Sequence, residues 1–144
     1  MMKKILASLI IAILLFAMIP SAESVILKPK IVISAIQFDA PGADTKYNVN
    51  GEWVKISNIG KVPQKMNGWK LTDKGGHKYI FGSFTLNPGK FVYVHTGKGI
   101  NNAQHLYMNR AWHIWNNKGD TAKLFDNKGN LISQKSFKEI MIQS

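Results

Sequence analysis

The chain has 144 residues, no cysteine, and 19 Lys plus Arg against 8 Asp plus Glu, for a formal charge of +11. That length holds one ordinary domain, and the missing thiol excludes a disulfide scaffold, a zinc knuckle, a thiol nucleophile, an iron–sulfur centre and a lipoprotein anchor. The charge points to anionic partners.

In chain order, Lys3 and Lys4 precede an uncharged stretch, residues 5–22, whose apolar run breaks at Pro20 and gives way to Ser21 and Ala22. A basic start, an apolar middle and a small-residue exit read as a signal peptide over residues 1–24. The expected location is therefore secreted, or the extracytoplasmic cell surface. Left uncut, the same stretch sits at the lower edge of what spans a bilayer and becomes an anchor, the one route to membrane contact. Removing residues 1–22 leaves 17 basic against 8 acidic residues. Residues 25–30, with Pro29, read as a linker to a domain over 31–137, and 138–144 as a tail.

From residue 31 no helical period of any length appears. Short alternating runs of β-branched and aromatic residues recur instead, punctuated by Gly, Asn, Pro and Asp. Strands are expected over 31–38, 52–58, 69–72, 78–81, 83–86, 91–96, 121–125 and 131–137. In the second, Val54 and Ile56 share one face while Trp53 and Lys55 share the other. Pro41, Pro63 and Pro88 fall in turns, where a missing N–H costs no ladder bond. Residues 100–118 break the rhythm and read as a long loop. Asp126-Asn127-Lys128-Gly129 between the last two runs is the clearest hairpin signal. Short strands with turns at this spacing predict an all-β antiparallel sandwich.

Ordered blocks then carry a resemblance. Ile33-Ser34-Ala35-Ile36-Gln37-Phe38-Asp39 is followed by Asn50-Gly51-Glu52-Trp53-Val54-Lys55-Ile56-Ser57-Asn58, then Asn67-Gly68-Trp69-Lys70-Leu71-Thr72-Asp73. Phe84-Thr85-Leu86-Asn87-Pro88-Gly89, Val94-His95-Thr96-Gly97 and Trp115 to Leu124 continue it, with Asp126 and Gly129 at the end. In this order the chain resembles a lamin-tail domain of the prokaryotic exported type. The resemblance implies an immunoglobulin-like β-sandwich and a binding, adhesion or targeting module. It carries fold further than function, because function resides in sites.

Three groups of residues are candidates for a site. Lys55, Lys61, Lys65, Lys70, Lys74 and Lys78 lie in a stretch with one acid, Asp73. Such a patch suits a polyanion, nucleic acid or envelope polymer, against the plainer role of a solvated surface. Arg110 is the sole arginine, which argues against sequence-specific base reading. Tyr107, Arg110 and Trp112 lie in the long loop and suit sugar rings or a cell-surface protein, while Trp69 and Trp115 are expected in the core. Asp39, Asp44 and Glu52 are weak calcium candidates, since calcium takes six to eight oxygens and their spacing is irregular. Local turn bonds are the plainer role for Asp39.

No catalytic pattern stands out. Gly97-Lys98-Gly99 lacks the spacing of a phosphate loop, and His77, His95, His105 and His113 are scattered with no acid spaced to orient them. His95, within a family block, is expected to make a structural hydrogen bond. The expectation is a non-enzymatic binding module without a cofactor. The alternatives are a structural protein that pairs through a sheet edge, or a calcium-stabilised accessory module of a secreted hydrolase.

Overall fold

The structure, a computed structural model, describes residues 25–138. The expected leader and most of the expected tail lie outside those residues. No helix within them is long and apolar enough to cross a membrane.

Among the described residues ten strands build a sandwich. β1 (Ile31–Gln37), β2 (Trp53–Asn58), β7 (Phe91–His95) and β8 (His105–Tyr107) form the first sheet in that order. The second runs β10 (Leu131–Lys138), β9 (Gly119–Phe125), β4 (Lys70–Thr72) and β5 (Lys78–Ile80). A two-stranded ribbon pairs β3 (Gln64–Lys65) with β6 (Thr85–Leu86), and a 3-10 turn spans Val49–Gly51. The sheets are antiparallel except where β8 joins β7 in parallel. The protein is thus an immunoglobulin-like β-sandwich. Two strands depart from expectation. β3 has two residues, and β8 rises from the stretch expected to be loop; neither is long enough to show a period-two pattern.

Alternation produces the core. Along β2 the residues are alternately half-buried and buried, so Val54 and Ile56 turn inward with no exposed surface. Val92 and Val94 of β7 and Leu71, Ala122 and Leu124 of the second sheet meet them. Trp69 and Trp115 join this core at 6% and 4% exposure, as expected. Removing methylenes from such positions costs about 2–5 kcal/mol for Leu or Ile to Ala.

One side of the sandwich is sealed. β1 shifts register between Ile33 and Ala35, and β10 between Leu131 and Ser133. The two irregularities meet: the Ile33 amide donates to Ser133 Oγ at 3.0 Å. Phe38 and Phe137 stack on the same side with ring centroids 3.5 Å apart. Bulged, mutually covered edges offer little to another chain.

The expected hairpin is present between β9 and β10. Asp126 Oδ1 accepts from the Lys128 and Asn130 amides, both at 2.9 Å, and Gly129 supplies the positive φ of +85°. Asn58, 1% exposed, organises the next loop by donating to the Val62 and Leu86 carbonyls while its Oδ1 accepts from the Gly60 amide.

Candidate functional site

Cross-strand register assigns the lysines to faces. Leu71 of β4 points inward, so Lys70 and Thr72 point outward. Lys78 lies opposite Thr72 on one side and Lys123 of β9 lies opposite it on the other. Lys70, Lys78 and Lys123 therefore share the outer face of the second sheet with Thr72, Thr121 and Ser136. None of the outward strand positions on this face is acidic, because Asp120 turns inward.

The other candidate lysines are dispersed. Lys61 is exposed in the β2–β3 loop, Lys65 lies on β3, and Lys74 occupies the β4–β5 turn. Lys55 belongs to the opposite sheet, where its ammonium sits 4.1 Å from the Phe91 ring centroid and 5.7 Å from that of Tyr93. The stretch from Lys55 to Lys78 is thus not one face. Lys123, outside that stretch, joins the group, and the register of β10 turns Lys138 to the same face. Alternation within 121–125 already turns Lys123 outward, but only long-range pairing shows its neighbours.

The outer face of the first sheet is aromatic. Trp53, Phe91, Tyr93, His95, His105 and Tyr107 all project there. Tyr93, His105, His95 and Tyr107 form a stack whose successive centroids lie 5.5, 5.1 and 5.0 Å apart. Tyr107 thus belongs to this stack, whereas the Arg110 guanidinium donates to the Lys78 carbonyl and Trp112 is 53% exposed. Of the three residues of the expected recognition loop, Tyr107 ends β8, and Arg110 and Trp112 lie in the segment that follows it. His95 Nδ1 faces the Asn50 carbonyl at 3.1 Å, which can only accept, so that nitrogen carries the hydrogen. Its Nε2 then accepts from His105 Nδ1 at 2.9 Å. Burial, followed by the neighbouring His105, holds the His95 pKa below its ordinary 6.5.

One acid does orient a histidine, contrary to expectation, and a second histidine lies near two acids. The β4–β5 turn brings Asp73 to His77, Oδ2 to Nδ1 at 2.7 Å, while Asp73 Oδ1 accepts from the His77 amide. His113, 4% exposed at its side chain, lies with Nδ1 3.4 Å from Glu52 Oε1 and 3.7 Å from Asp44 Oδ1. Its Nε2 faces two acceptors, the Thr45 carbonyl and Asn48 Oδ1, each at 3.1 Å. Burial pushes the Glu52 carboxyl above its ordinary 4.5, against the Ile114 amide that its Oε2 accepts at 3.0 Å.

Two of the three calcium candidates, Asp44 and Glu52, meet at this histidine, while Asp39 is exposed and takes no part. Among the described residues no group of three or more His, Cys, Asp or Glu is arranged to hold a metal ion. The cluster does not fit calcium's need for six to eight oxygens, since an imidazole occupies its centre.

A comparison with curated proteins gives no match. The family model described as Lamin Tail Domain, a family of non-catalytic immunoglobulin-like modules, matches residues 26–139, and the chain belongs to that family.

Proposed function

We propose that the protein is a non-catalytic exported binding module that contacts polyanions through the lysines on the outer face of its second sheet. One observation carries this reading: half of the acids among the described residues are withdrawn while the lysines are not. Of the six acids in residues 25–138, Glu52, Asp73 and Asp120 are buried. Asp120 serves the backbone, accepting from the Lys74, Asn116 and Thr121 amides. The only ion pairs among the described residues join carboxylates to histidines, so the lysines keep their charge for solvent or a ligand. A surface of this kind gains affinity by releasing counterions from a polyanion.

Self-association through a sheet edge is the weaker reading. The open edges, β5 and β8, have three residues each, and β1 and β10 cover one another. Binding of duplex DNA and of an anionic sugar polymer across a salt series tests the proposal. Steep loss of affinity with salt is expected for both. Absence of binding at low salt would refute it.

A further inference from the structure

At one end of the sandwich the loops enclose an open cleft of about 310 Å³. Lys46, Lys98 and Arg110 line it together with Tyr47, Asn50 and Gly97, and no carboxylate does. Lys98 belongs to the Gly97-Lys98-Gly99 segment, to which the sequence alone assigns no role.

The walls are fixed from behind. Asn50 Nδ2 donates to the Lys98 carbonyl at 2.7 Å, and the Arg110 amide to the Thr96 carbonyl at 3.0 Å. The turn that carries Lys46 and Tyr47 is held by Asn48 Oδ1, which accepts from the Thr45 amide and meets buried His113. Gly97 lies against Asn50 so closely that a Cβ there would stand 2.5 Å from Asn50 Oδ1. The residues that carry the cations therefore stand on an ordered frame, with the Arg110 guanidinium also held by the Lys78 carbonyl, which lowers the cost of ordering them around a ligand.

Two aromatic residues accompany the cations. Tyr47 is 87% exposed, with Lys46 Nζ 5.0 Å from its ring centroid. Trp112, next in the chain to the lining residue Ala111, is 53% exposed and stands edge-on to His113. Unlike the rings of the first sheet, these are stacked on no other ring: Lys46 lies over Tyr47, and Trp112 meets His113 only at a perpendicular angle. Cations suit a phosphate chain, and open aromatic faces suit unpaired bases. A duplex hides its base faces, and a sugar–phosphate polymer has none.

We infer that this cleft binds single-stranded nucleic acid, phosphates drawn to Lys46, Lys98 and Arg110 and bases stacked on Tyr47 and Trp112. The inference rests on the polyanion reading and assigns it a second place, apart from the lysine face.

The test is fluorescence anisotropy of the full chain with a labelled oligothymidylate and with an abasic strand of equal length. The oligothymidylate is expected to bind about 10-fold more tightly, the size of effect that stacking on one or two rings supplies. Tyr47→Ala, at a site too exposed to disturb folding, should abolish most of that preference. Lys46→Gln with Lys98→Gln should weaken both strands about 10-fold. Equal affinity for the two strands, or indifference to Tyr47→Ala, overturns the inference. Binding lost only when Lys70, Lys78 and Lys123 are changed overturns it too, yet leaves the polyanion reading standing. No binding of either strand at low salt removes both.

Discussion

On the outer face of the first sheet six rings lean on one another, and the one lysine among them, Lys55, lies over Phe91. On the outer face of the second, Lys78 and Lys123 flank Thr72 and Lys70 lies between Ile80 and Phe125, with none of the three ammonium groups placed over a ring. The same alternation that builds a shared core produces both faces, so their difference is a matter of what each strand turns outward. Rings that occupy one another's faces satisfy themselves. Ammonium groups without carboxylate partners do not, and their remaining interaction is with water or an anion. Sequence position alone would place Lys55 with Lys70, yet the fold separates them onto opposite sides.

The largest expected effect falls where the two sheets are alike. Ile56→Ala in the first sheet and Leu71→Ala in the second each remove a side chain with no exposed surface. Each should cost about 2–5 kcal/mol in denaturant unfolding, with the remaining folded protein binding polyanion as before. A cost confined to one sheet would break the picture of a common core.

His95 gives the first-sheet face a dependence on pH. His95 has a folded pKa below 6.5, so the unfolded chain takes up that proton first. Its contribution to stability is complete above pH 6.5 and is lost as acidification passes through the folded value. The melting temperature of His95→Gln should therefore fall less than that of the parent below pH 6.5. Equal acid sensitivity of the two proteins would contradict the assignment.

Glu52 gives the opposite sign at the loop end. Its folded pKa lies above 4.5, so the folded state keeps the proton longer, and stability from this group declines as pH rises from 4.5 through the folded value. Glu52→Gln should flatten that branch of the melting curve against pH. An unchanged branch would mean that another group governs it.

The smallest effect is expected at Lys55. Lys55→Gln should cost about 0.5–1 kcal/mol of stability, through the lost contact with the Phe91 ring, and leave polyanion affinity within about 2-fold.

Much of the fold is legible in local pattern. The alternation at 53–58, the Asp126 to Gly129 turn and the burial of Trp69 and Trp115 all follow from period-two patterning, turn chemistry and the family blocks. β3 and β8 do not, since two or three residues cannot establish a period and a parallel edge pair needs no hairpin turn. The sites are less legible because each is assembled across long separations. Thr72 joins Lys123 to Lys78, Glu52 meets His113, and Asn50 meets Lys98. Residue types announce these groups only after strand order has placed them together.

The contrast between the faces rests most directly on the salt dependence of duplex DNA binding, measured for the parent, for Lys55→Gln, and for Lys70→Gln, Lys78→Gln and Lys123→Gln combined. The triple change should lower the slope of log affinity against log salt by up to about 1 per lysine, while Lys55→Gln leaves it unchanged. Equal slopes for the parent and the triple variant would contradict the assignment of polyanion binding to the second sheet.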